Sequence, residues 1–87
     1  LDLEDIEPEL EKDQLLVLKR DTKNEHDDKA ILILTEAGRK LGYVPQDKNE
    51  VLSNLMDAGK LIFGRLVDKN WVDNWLKLDV QLYLRDL

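Results

Sequence analysis

At 87 residues the chain is long enough for one domain with a small core, since chains of this size bury only around 60% of the surface they expose unfolded. It has no cysteine, which excludes disulfides, thiolate metal sites and cysteine nucleophiles, and no apolar run approaches the ~20 residues of a membrane span, so it reads as soluble and cytoplasmic. A net charge of −6 argues against nucleic acid until it is located: Asp2, Glu4, Asp5, Glu7, Glu9 and Glu11 supply all of it, and the other 13 acids balance the 13 lysines and arginines of the body.

Residues 1–11 form an acidic arm. Pro8 bars a long helix there, so the expectation is an irregular segment with one helical turn, whose apolar Leu1, Leu3, Ile6 and Leu10 dock on the body of the domain, residues 12–87. Its charge should repel phosphate or cover a basic rim, so that removing it tightens nucleic-acid binding. Because the chain begins at Leu1 rather than methionine, it is expected to be part of something longer.

The apolar run Leu15-Leu16-Val17-Leu18 predicts a strand over residues 14–20. The next eight residues, 21–28, are polar and hold Asn24, the single histidine His26, and Asp27-Asp28. A second strand over residues 30–35 is apolar on both faces and so belongs inside a sheet. Gly38 suits a turn, and residues 39–44 return antiparallel.

Pro45 and Asp47 suit a helix entry, and Gly59 suits its end, giving a helix over residues 47–58. Val51, Leu52, Leu55 and Met56 share its apolar face, with Leu52, Leu55 and Met56 expected to be buried against the sheet. Residues 60–68 read as a strand with a bulge or a close backbone approach at Gly64, residues 69–74 as the next turn, and residues 75–85 as a strictly alternating strand with one wet face. The order β-β-β-α-β-β predicts a mainly β fold with an inserted helix (α+β): a small, bent antiparallel sheet closing into an OB- or SH3-like barrel. A sheet edge left open would allow a homodimer.

The residues give little support to catalysis. Thr22, Thr35 and Ser53 stand in plain settings, one histidine makes no triad, and no cofactor motif is present, so the reading is a non-enzymatic protein without a cofactor. Asp21, Asn24, Asp27 and Asp28 carry oxygen ligands, but the loop lacks the glycine and the terminal bidentate glutamate of an EF-hand, and a loop stapled by its own hydrogen bonds is favoured over a metal site. Lys12, Lys19, Arg20, Lys23, Lys29, Arg39, Lys40 and Lys48 cluster in the first half and could meet phosphates, while His26, Tyr43, Trp71 and Trp75 could stack on bases. A protein partner at an exposed sheet edge or at the Trp71/Trp75 turn is the alternative.

The pattern Arg20-Asp21-x-x-Asn24-x-His26-Asp27-x-x-Ala30-Ile31, followed by Gly42-Tyr43-Val44-Pro45 and a helix, resembles the HIRAN domain over residues 14–67. That family occurs at the N-terminus of some fork-remodelling SWI/SNF translocases and as small free-standing bacterial proteins. The resemblance implies a small barrel with an inserted helix, a role in DNA repair, and capture of single-stranded DNA at a free 3′ end. Asp27 matches the family's loop aspartate, His26 the preceding position, and Tyr43 the residue after the glycine of the second hairpin strand. Arg20, Lys40 and Lys48 complete the set of expected nucleic-acid contacts. Two features depart from the pattern: the aromatic pair of the family's first strand is absent, and Gln46 stands where a DNA-binding member carries lysine.

Overall fold

A computed structural model describes residues 3–85, with side chains from Asp5 onward; Leu1 and the side chain of Leu3 lie outside the described residues. Five antiparallel strands, β1 (Leu15–Arg20), β2 (Ile31–Thr35), β3 (Lys40–Tyr43), β4 (Leu61–Val72) and β5 (Trp75–Arg85), form one curled half-barrel in the order β3-β2-β1-β4-β5. The mainly β fold with one inserted helix is as expected, and the register follows the hydrophobic pattern. Leu16 and Leu18 of β1 turn to the concave face with Ile31 and Ile33 of β2 and with Ile62 and Leu66 of β4.

That concave face is covered by different elements at its two ends. At one end the arm folds as α1 (Leu3–Ile6) and a 3₁₀ turn (Glu7–Glu9), and inserts Ile6 and Leu10 among Leu16, Leu66 and Leu76. At the other, Leu52, Leu55 and Met56 of α2 (Gln46–Asp57) pack against Leu18, Ile31, Val44 and Ile62. Ile33 borders both clusters. Lys69 reaches the arm by an ion pair with Glu7 at 2.8 Å, and Arg39 pairs with Glu9 at 3.5 Å.

The expected apolar stripe of α2 needs correcting. Leu52, Leu55 and Met56 are only half-buried and Val51 is 67% exposed, whereas the buried helix positions are Asn49 and Ser53. The inward stripe is therefore 49-52-53-56, the i, i+3, i+4, i+7 pattern, with two polar members that a search for hydrophobic residues passes over. The helix ends as the glycine suggests: Gly59 takes φ +91°, the N–H of Lys60 bonds to the carbonyl of Leu55, and that of Gly59 to Met56, each at 3.0 Å.

The expected turn at residues 69–74 is a second correction. β4 continues through Lys69, Asn70, Trp71 and Val72, each paired with β5, so that only Asp73 and Asn74 turn the chain, with Asp73 at φ +55°. Polar residues on an exposed ribbon resemble a loop in sequence because the ribbon has no core face to impose alternation. Gly64 lies in regular register between Leu16 and Leu82; the shift in the β4–β5 ladder lies between Leu66 and Asp68. The glycine answers to a close approach instead. A β-carbon there would meet the Cγ1 of Val80 at 3.1 Å. Gly64→Ala is expected to cost about 1–3 kcal/mol by overpacking, read as a lower denaturation midpoint at unchanged slope.

Candidate nucleic-acid interface

The polar loop between β1 and β2 is held in one shape by its own side chains. Asn24 Oδ1 accepts from the N–H groups of His26 at 2.8 Å and Asp27 at 3.1 Å, and Asp27 Oδ1 accepts from the N–H of Lys29 at 2.9 Å. Arg20 clamps the loop from β1. Its guanidinium donates to the carbonyls of Ala30 at 2.7 Å and Asp28 at 2.8 Å, and it pairs with Asp57 at the end of α2 at 3.0 Å. Each of the three guanidinium nitrogens thus makes a bond within the protein, and Arg20 holds the loop.

Three elements meet at this loop. Asn49, buried on α2, donates its Nδ2 to Asp27 Oδ2 at 2.7 Å, and the Tyr43 hydroxyl at the end of β3 donates to Asp21 Oδ2 at 2.9 Å. The result is a pocket of about 240 Å³ lined by Asn24, His26, Asp27, Tyr43 and Gln46 over a floor of Ala30 and Val44. Both oxygens of Asp27 accept hydrogen bonds, but its side chain remains partly exposed at the pocket wall.

The carboxyl of Asp27 is held below the ordinary value of 3.8, first by the Lys29 N–H, then by the amides of Asn49 and Gln46 and the charge of Arg20, which together outweigh its partial desolvation. It is ionised at neutral pH. The phenol of Tyr43 is pushed above 10.0, chiefly because it donates to the Asp21 carboxylate. The pocket therefore combines a fixed anion, a neutral phenol whose ring is half exposed, and an exposed imidazole.

Of the six residues expected at a nucleic-acid site, His26, Asp27 and Tyr43 line this pocket and Arg20, Lys40 and Lys48 do not. Lys40 begins β3, three residues from Tyr43 and so about 10 Å along the strand. Lys48 is exposed on the first turn of α2 and faces a larger groove on the other side of Tyr43. Asn49 is the site residue that sequence reasoning passed over; its one signal is an amide at an inward helix position. Among the described residues no three histidine, aspartate or glutamate side chains gather as a metal site, and no helix is long and apolar enough to cross a membrane.

The HIRAN domain profile matches residues 5–85. The chain belongs to the HIRAN domain family. Members of this family are known for nucleic-acid binding and are generally non-catalytic on their own. A crystal structure of a protein from Lactobacillus plantarum is similar at a TM-score of 0.75 and 28% identity, over 88% of this chain and 73% of that one. The crystal structure of the HIRAN domain of human HLTF is similar at a TM-score of 0.64 and 23% identity, over 68% of this chain and about half of that one, at 50%; it supports the shared fold. No curated protein sequence matches this HIRAN domain significantly. The profile takes in Ile6 and Leu10, which among the described arm residues are the ones buried in the core.

Proposed function

We propose that this HIRAN domain binds the 3′ end of single-stranded DNA, with the terminal nucleotide in the pocket of His26, Asp27 and Tyr43. The observation that carries the reading is the braced, ionised carboxylate of Asp27 in the wall of a pocket flanked by an exposed imidazole and a half-exposed phenol ring. A carboxylate repels phosphate and is a poor residue for following a backbone, but it accepts a hydrogen bond from a free hydroxyl, and a strand carries a free 3′-hydroxyl only at its end. The two oxygens of Asp27 offer about four acceptor sites, of which the Lys29 N–H and the amides of Asn49 and Gln46 take three, so one remains for the ligand.

The rings of His26 and Tyr43 supply faces for the last bases, a contact that tolerates any sequence. Lys48, on the first turn of α2 two residues from Gln46 of the pocket, and Lys40 take phosphates further from the end. Arg20 acts indirectly, by fixing the loop that carries Asp27. With two lysines contacting phosphate, the salt slope is shallow. Titration of a labelled 3′-hydroxyl oligonucleotide is expected to show affinity falling as roughly the 1.4 power of salt concentration, at about 0.7 per phosphate contact on a single strand. Affinity independent of salt, or no binding at low salt, would overturn the reading.

A further inference from the structure

The sheet is open, and both of its ends face one groove. β3 and β5 terminate the strand order, and among the described residues each has a ladder on one side only. The groove between them measures about 1080 Å³ and is walled by residues 75–82 of β5 on one side and by residues 41–45 with the first turns of α2 on the other. The β5 wall is continuous. Inward Leu76, Leu78, Val80 and Leu82 contribute, and so do Lys77, Asp79 and Gln81 between them. A strand that lines a groove with one face offers it alternate residues; a strand that lines it with every residue is presenting its edge, where backbone N–H and C=O groups have no ladder partner.

Size and charge identify the occupant. One eight-residue strand laid in a sheet is roughly 26 Å long, ~4.8 Å wide and ~10 Å thick, on the order of 1,200 Å³, so the groove takes a single strand. The charged residues in its wall are Lys48, Lys77 and Asp79. Lys77 and Asp79 lie 3.9 Å apart and offset each other, while Lys48 makes no ion pair among the described residues. One uncompensated cation is too little for a polymer with a charge on every nucleotide, and the apolar inner wall offers phosphate nothing.

We propose that the groove between β3 and β5 binds an extended polypeptide segment of a partner protein, which adds to the β5 edge as a sixth strand. Its alternate side chains are apolar and pack on Leu76, Leu78, Val80 and Leu82, and an acidic residue at its α2 end meets Lys48. The ladder provides affinity for any extended chain, and the apolar alternation with one terminal acid provides selectivity. This strand site does not depend on the DNA reading, although it shares Tyr43 and Val44 with the smaller pocket and uses Lys48, which that reading assigns to phosphate.

The test uses a ten-residue peptide of alternating valine and threonine flanked by glutamates, with two derivatives N-methylated at either the valine or the threonine amides. Hydrogen exchange of the intact domain is expected to show new protection in residues 75–82 with the parent peptide, together with a change in Trp75 fluorescence. Only one of the two amide sets can face β5, so one derivative should bind at least tenfold more weakly than the other. Equal binding of both derivatives would reduce the site to apolar adhesion and overturn the proposal. Protection of residues 75–82 by an oligothymidylate but not by the peptide would do the same. So would protection before any peptide is added, in a concentration-dependent dimer, since the occupant would then be a second copy.

Discussion

Truncating Ile6 to alanine is expected to cost about 2–5 kcal/mol, the usual range for a large-to-small change at a fully buried site. Ile6 has no solvent-accessible surface, and it meets Leu10, Leu16, Leu66 and Leu76 at the end of the half-barrel that α2 does not cover. A domain of 87 residues has a total stability of roughly 4–13 kcal/mol, so the change removes a large share of it. Denaturation of Ile6→Ala and Ile6→Val should give a graded loss, with valine costing about 0.5–1.5 kcal/mol. A value near zero for alanine would mean that the arm is not seated in the core.

This placement changes what the arm can be asked. Deleting residues 1–11 was expected to tighten nucleic-acid binding, but the deletion would remove Ile6 and Leu10 and report on folding first. Among the described residues, the arm acids that pair with the body are Glu7 with Lys69 and Glu9 with Arg39, and neither cation lines the 240 Å³ pocket. Any electrostatic role of the arm is better tested by Glu9→Gln, which frees Arg39 and leaves the buried residues in place.

The fold was legible where one face of an element is apolar and the other wet. Leu16 and Leu18, Ile31 and Ile33, and the alternating run from Leu76 to Leu82 each point inward as their spacing requires. Legibility failed where polar residues do structural work. Asn49 and Ser53 break the helix stripe because a buried amide and a buried hydroxyl have partners, Asp27 and the carbonyl of Glu50, that sequence spacing does not reveal. The ribbon from Lys69 to Val72 was hidden because both of its faces are largely solvated. The loop pattern Asn24-x-His26-Asp27 was visible as a cluster of polar groups, but its brace from α2, 22 residues further on, was not. Arg20 shows the same limit: a cation beside a polar loop reads as a phosphate contact, and the three bonds its guanidinium nitrogens make within the protein are not visible in the sequence.

Asp27→Asn is expected to remove any preference for a 3′-hydroxyl end while leaving the domain folded, since Asn24 and Arg20 still hold the loop. The amide keeps one oxygen for the Lys29 N–H, but its NH₂ group then faces the Asn49 amide, donor against donor, and the anion is gone. Charged hydrogen bonds are the stronger ones, so the loss is expected to be about tenfold in the ratio of affinities. The pH dependence has a definite sign. The folded-state pKa of Asp27 is depressed, so its contribution is present above the ordinary carboxylate value and lost only as pH falls through a value below 3.8. Asp27 itself stays ionised between pH 5 and pH 8, so the preference over a 3′-phosphate strand should grow with pH through about 6, where the terminal phosphate takes its second charge.

The most direct measurement compares the wild-type domain on two otherwise identical single-stranded oligonucleotides, one ending in a 3′-hydroxyl and the other in a 3′-phosphate. A third strand carrying its phosphate at the 5′ end controls for total charge. The account predicts that the first and third strands bind alike and that the 3′-phosphate strand binds about tenfold more weakly, because its terminal anion is set against the Asp27 carboxylate. Equal affinity for all three would contradict it.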